Sequence, residues 1–401
     1  PEVVGVQPTA TPAETTDIQG VPQKGVPEFL GGRVSINDVE KIVPIDETKG
    51  LELTNPETGE KGDVITVPGE GKYEVNNGVV VFTPEPQFTG KAKGVNVTRV
   101  DMNGTPVTAK YTPTVTPIKP TGENVTSTDI QGKVQEGTPV VTEGDKRVPI
   151  EITDKKPAKI IVGGKEVDVT EIPATKVGKE VGKYTLDKNT GKVTFTPNKD
   201  FIGTPDSATV QVQDKNGTPA TATYTPTVTE VVPTAKESET KDIQGAVQKS
   251  PVVFDVKDEE DKSTVNFDRG DERVELNKST LTLVNAAGEK VNEVVIANEG
   301  KYVLKDGVIE FTPEKQFVGK ATSVTVQVED VNGKVATTKY TPEVVGVQPT
   351  ATPAETTDIQ GKVQTGKPEF KPGNPEVPMD EEVPATFEDG QTTKTVDKVG
   401  T

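Results

Sequence analysis

The chain has 401 residues, of which 31% are hydrophobic and 4% aromatic; its formal net charge is −18, and it contains neither cysteine nor histidine. That removes disulfides, thiol nucleophiles and thiolate metal sites, together with the commonest general base and the commonest metal ligand. The acidic balance also disfavours nucleic acid and anionic membranes as partners, since both need basic patches.

No apolar run approaches the roughly 18–20 residues of a membrane span. Eight leucines stand against long runs of Val and Thr, and β-branched residues suit a pleated, half-buried surface, so the composition argues for an all-β chain. The absence of cysteine leaves an extracellular location open.

Residues 1–20, PEVVGVQPTATPAETTDIQG, recur letter for letter as residues 342–361. Self-similarity at a long period marks a repeat architecture, and the copy is expected of a window cut from a longer tandem array. Asp-Ile-Gln-Gly recurs at 17–20, 129–132, 242–245 and 358–361. Between these markers the order of landmarks is constant. Gly-Lys-Tyr (Tyr73, Tyr184, Tyr302) precedes Phe-Thr-Pro (Phe82, Phe195, Phe311) and Phe-x-Gly (Phe88, Phe201, Phe317). Asp-x-Asn-Gly (Asp101, Asp214, Asp330) and the closing Tyr-Thr-Pro (Tyr111, Tyr224, Tyr340) follow.

Twelve of the seventeen aromatic residues occupy four equivalent slots, which reads as three copies of one core. The other reading of those slots is a row of aromatic ligand-binding steps. Near the end of each unit, Ala208, Val210 and Val212 alternate with polar residues, as do Val324, Val326 and Val328. This is the pattern of half-buried strands, and Asn-Gly between them supplies the positive φ angles of a tight hairpin turn. Arg99 interrupts the pattern in the first unit; it either snorkels from the strand end or marks a register shifted by one.

The closing Tyr lies 18 residues before the next Asp-Ile-Gln-Gly in all three units. A fixed length despite changing sequence suggests a joint of defined geometry, built of extended, semi-stiff Pro-rich chain; recent duplication is the alternative. The expected division is an end of a preceding repeat or joint at 1–14, repeats at 15–113, 127–226 and 240–342, and joints at 114–126, 227–239 and 343–355. Residues 356–401 form the incomplete start of a fourth repeat, expected to fray. Each repeat is expected to be an Ig-like or cadherin-like β-sandwich of about 113 residues, the whole forming an elongated rod.

No residue is assigned a catalytic, cofactor-binding or metal-binding role. Asp-x-Asn-Gly resembles the start of a calcium loop, but no further carboxylate follows it, so a hairpin turn is the better reading. The acidic run Asp258–Asp261 occurs in one unit only and reads as a solvated face. No Lys–Asn–acid trio recurs at buried positions, as an internal isopeptide cross-link would need.

The ordered string of Phe-Thr-Pro, Phe-x-Gly, Asp-x-Asn-Gly, Tyr-Thr-Pro-x-Val and Asp-Ile-Gln-Gly resembles the CshA-type fibril repeat of streptococcal surface proteins. The resemblance covers three whole units and the start of a fourth. Its first half is also similar to cadherin-like and other bacterial Ig-like repeats. It implies the non-catalytic stalk of an extracellular, cell-wall-attached fibrillar adhesin, with the adhesive region and the anchor outside these residues. Partners would be host matrix or other bacteria, met through those outside regions, or neighbouring fibrils. In the alternative, the repeats themselves bind host protein, glycan or fibrils multivalently.

Overall fold

A computed structural model describes residues 1–257 and 260–399. Every regular element among them is a β-strand. The chain falls into two compact units. Pro1–Thr229 holds the first and second repeats, and Glu230–Thr401 holds the third and the start of a fourth.

Each complete repeat is a sandwich of two sheets. In the first, one sheet runs in the order Gln23–Gly25, Val79–Pro84, Gly71–Asn76, Val64–Val67. The other is built on a long closing strand, Pro106–Thr116, which pairs antiparallel with Val95–Val100 and parallel with an opening strand, Ala13–Ile18. The second repeat repeats this with opening strand Val125–Ile130 and closing strand Pro219–Thr229. The third does so with Ser238–Ile243 and Val335–Val345.

The aromatic landmarks form the core between the sheets. All six tyrosines are at most 1% exposed. Tyr73 on one sheet meets Tyr111 on the other edge-on at 6.3 Å, and the matching pairs lie at 6.4 Å for Tyr184–Tyr224 and 5.9 Å for Tyr302–Tyr340. The glycine of Gly-Lys-Tyr has a close-packing role. A Cβ on Gly71, Gly182 or Gly300 would come within 2.4, 2.5 or 2.5 Å of the carbonyl oxygen of Thr83, Thr196 or Thr312. Only glycine lets the paired strands approach so closely.

Strands Ala208–Asp214 and Val324–Asp330 alternate buried and half-buried residues along their whole length. Arg99 keeps the register: it lies opposite Val107, as Val212 lies opposite Ala220. Its guanidinium reaches out to Glu47 at 2.6 Å, so the stem covers apolar surface while the charge meets a carboxylate.

The hairpin turn differs in detail from the expectation. Gly104, Gly217 and Gly333 have φ of 84°, 84° and 85°, but the preceding asparagines stay outside the left-handed region. Gly104 N–H donates to the Asp101 carbonyl at 2.9 Å and Asp101 N–H to the Thr105 carbonyl at 3.0 Å. One left-handed residue after a tight turn is a glycine bulge.

Two of the segments expected as joints, 114–126 and 227–239, are mostly sheet. Within 114–126, the closing strand extends to Thr116, Thr121–Glu123 pairs with Val140–Thr142, and the next opening strand begins at Val125. Only 117–120 and Asn124 lie outside strands. Thr and Val can both hydrogen-bond and pack as strand.

At one core position the second repeat differs from the other two. Phe29 stands opposite Ala10, and Phe267 opposite Ala235, but the second repeat has Val141 opposite Gly122. Val141 lines a pit of about 190 Å³ together with Pro139, Ile150, Ile152 and Val212. Val141→Phe should fill it and stabilise the second repeat by about 0.5–2 kcal/mol. Calorimetry would show one transition rising by several degrees; a fall would mean the pit is too shallow for a ring.

Candidate functional site: strand latch and repeat seam

The marker Asp-Ile-Gln-Gly is the end of the opening strand, and each residue has a local task. The Asp17 carboxylate accepts the Ile18 N–H at 2.7 Å, and the same bond recurs at Asp129 and Asp242. Gln19 N–H extends the parallel pairing to the Thr116 carbonyl at 2.9 Å. Its side chain donates to the Pro86 carbonyl at 2.9 Å, as Gln131 does to Lys199 and Gln244 to Lys315. Gly20, with φ 79°, then turns the chain.

A latch ties the opening strand to the closing strand. Thr15 Oγ1 donates to Gln23 Oε1 at 2.6 Å and lies 2.9 Å from the Tyr111 hydroxyl. Gln23 Nε2 donates to the Thr114 carbonyl at 2.8 Å, so one buried amide holds both strands. Ser127, Gln135 and Tyr224 repeat the trio at 2.6 and 2.6 Å, with Gln135 Nε2 3.0 Å from the Thr227 carbonyl. Thr240, Gln248 and Tyr340 repeat it at 2.5 and 2.8 Å, with Gln248 Nε2 2.9 Å from the Glu343 carbonyl. The three glutamines are 3–4% exposed, and a fully satisfied polar group in such a place fixes geometry firmly.

Within Pro1–Thr229 a second polar cluster joins the first repeat to the second. Asn216, in the hairpin tip of the second repeat and 8% exposed, donates through Nδ2 to the Gln19 carbonyl at 3.1 Å. Gln87 Nε2 donates to the Asn216 carbonyl. Arg147 Nη1 lies 3.0 Å from Asp17, while its Nε and backbone N–H hold the Asp145 carboxyl below the usual carboxylate range. A Cβ on Gly20 would sit 2.0 Å from Asn216 Oδ1. Gly20 therefore makes room for the second repeat.

Asn216 belongs to the calcium-like Asp-x-Asn-Gly motif of the second repeat, and the motif's Asp closes the turn. One oxygen of Asp101 accepts the N–H groups of Asn103 and Thr105 at 2.9 and 2.8 Å, capping its own turn. Asp214 and Asp330 do the same to Thr218 and Lys334. Asp258 and Glu259 of the acidic run lie outside the described residues. Among the described residues no cluster of three or more acidic side chains is placed to hold a metal ion, and no helix is long and apolar enough to cross a membrane.

The family described as the surface adhesin CshA repetitive domain matches residues 5–115, 117–228, 230–344 and 346–401. The chain belongs to this family. Each of the first three matches ends within a closing strand, so it includes both strands of the latch. No curated protein matches the chain. Among solved structures, it is similar to the I9–I11 tandem of titin, at 11% identity over 85% of this chain and 97% of that one, with a TM-score of 0.28. It is similar to mouse cadherin-23 EC22–24 at 13% identity over 86% and 100%, with a TM-score of 0.30.

In this CshA repeat the latch residues follow a pattern longer than the four-letter marker. A hydroxyl two residues before Asp and a Gln six residues after it occur in all four units: Thr15/Gln23, Ser127/Gln135, Thr240/Gln248 and Thr356/Gln364. That eight-residue spacing was the available signal. The seam had none, because Asn216 and Gln19 are 197 residues apart.

Proposed function

We propose that these CshA repeats are the non-catalytic stalk of a cell-wall-attached, Gram-positive fibrillar adhesin, projecting a distal adhesive region towards host cells or other bacteria. The seam between the first and second repeats carries this reading. A spacer needs joints of set angle, and this one is held by side-chain bonds rather than left to the short crossing at 117–120. The exposed Arg147–Asp17 pair contributes only about 0–1 kcal/mol. The buried Asn216 amide is the positioning contact, since removing a partner from a buried hydrogen bond costs about 1–3 kcal/mol. We place the repeat boundaries at the strand-free crossings 117–120 and 230–233.

Asn216→Ala combined with Arg147→Ala should free this joint without unfolding either repeat. Spin labels at Lys61 and Lys165 should then show a broader distance distribution with unchanged melting; an unchanged width would remove the seam from the argument. Small-angle scattering of the chain should give a rod, with three repeats spanning roughly 100–150 Å. A compact particle would refute the stalk.

One observation favours direct binding instead. The first repeat carries an extra hairpin, Gly32–Ile36 with Val39–Val43, whose Ile36, Val39 and Ile42 are 40–52% exposed. Retention of a matrix protein or glycan by the isolated first repeat, lost with Ile36→Ser and Val39→Ser, would shift the reading from spacer to multivalent binder.

A further inference from the structure

We propose that each complete repeat is a tension-bearing clamp, in which the opening and closing strands, paired in parallel and latched by the hydroxyl–glutamine–tyrosine trio, carry in shear any force applied along the chain. The argument rests on strand direction. The opening strand is near the N-terminal end of its repeat and the closing strand is at the C-terminal end. In the first repeat they pair in parallel from Ala13↔Tyr111 to Ile18↔Thr116. Pulling the chain ends draws the opening strand backwards at Ala13 and the closing strand forwards at Thr116. The two strands slide past each other along their length, so every bond of the evenly spaced parallel ladder is loaded together.

The antiparallel pair just upstream is loaded differently. Thr9↔Leu30 to Thr11↔Glu28 holds three pairs against the clamp's six, and only the Thr9 strand lies on the line of tension. Tension therefore strips this short pair first and then meets the clamp. The same arrangement recurs in the other two repeats, with six parallel pairs from Val125↔Tyr224 and six from Ser238↔Tyr340.

The latch sits where sliding must break it. Gln23 bridges Thr15 on the opening strand and the Thr114 carbonyl on the closing strand, and Tyr111 adds a second tie to Thr15. A slide of one residue would break the Thr15–Tyr111 contact and at least one of the two Gln23 bonds. Forced unfolding is governed by the barrier to such a step rather than by equilibrium stability. The clamp is independent of the stalk reading: a compact particle in scattering would sink the stalk and leave the clamp untouched.

The test is single-molecule force spectroscopy on the full chain, which has no native cysteine and so accepts attachment cysteines at chosen points. Attachment through Glu123→Cys and Val232→Cys loads the second repeat in shear. Attachment through Val134→Cys and Val232→Cys loads the same strand pair from one end and peels it. The shear geometry should yield at a force at least twice that of the peel geometry; equal forces would overturn the clamp. In shear, Gln135→Leu should lower the unfolding force of this repeat more than Leu186→Ala, a core truncation away from the latch. Equal or reversed losses would show that the latch adds nothing beyond bulk stability.

Discussion

Tyr302→Ala is expected to lower the melting temperature of the third repeat while leaving the transitions of the first and second in place. Tyr302 is fully buried, its ring 4.7 Å from Phe311 and 5.9 Å from Tyr340, and its hydroxyl donates to the Thr322 carbonyl at 2.7 Å. Truncating a large buried aromatic costs about 3–5 kcal/mol, and more when a well-packed site cannot collapse. Domains of this size hold about 5–15 kcal/mol in total. The loss therefore corresponds to a drop of roughly 15–30 °C. It should stay local because the three cores are separate clusters, each made from one repeat's own residues. Calorimetry should resolve one displaced transition; a uniform shift of the whole endotherm would mean that the repeats melt as one body.

The aromatic core was legible because its residues are rare and evenly repeated, and because burial explains all of them at once. The half-buried strands were legible from period-two alternation, Arg99 included. What escaped was long-range pairing. The twenty duplicated residues make the reason plain. In the first copy Ala13–Ile18 is a strand on Pro106–Thr116. In the second copy the same letters at 354–359 form no strand, and Ile359 is 69% exposed. Conversely, Pro342–Val345 is sheet within the third repeat while residues 1–4 are not.

Identical sequence takes two states because a strand is made by its partner, and β propensity is mostly packing. What survives in the second copy is local: Thr350–Thr352 still pairs with Glu369–Lys371, and Thr356 still bonds Gln364 at 2.6 Å. The latch is therefore half assembled without a closing tyrosine. Its hydroxyl and glutamine were readable at fixed spacing, while the carbonyl they serve, some 90 residues on in each repeat, was not.

Alkaline pH should unfold these repeats cooperatively rather than titrate their phenols one by one. Burial raises the pKa of all six tyrosines, pushing Tyr340 up to about 12 and Tyr73, Tyr184 and Tyr302 higher still. Tyr73 is raised first by burial and then by its 2.5 Å hydrogen bond to Glu70. A free phenol titrates near 10. Below about pH 10, both folded and unfolded chains keep these protons and the stability is full. Above it the unfolded chain releases protons that the folded chain retains, so stability falls as pH rises towards the folded values.

Each tyrosine then contributes a loss of about 1.4 kcal/mol per pH unit. In the third repeat, where Tyr340 is pushed up to about 12 and Tyr302 higher still, about 5 kcal/mol is gone by pH 12, enough to unfold a domain of ordinary stability. Tyrosinate absorbance near 295 nm should stay flat past pH 10 and then rise steeply together with the loss of β-sheet circular dichroism. A gradual rise centred near pH 10 with the sheet signal intact would place the tyrosines in water and undo the core as described. Because the closing tyrosine is also the latch, the same titration should release the opening strand, and unfolding forces should fall over the same pH range.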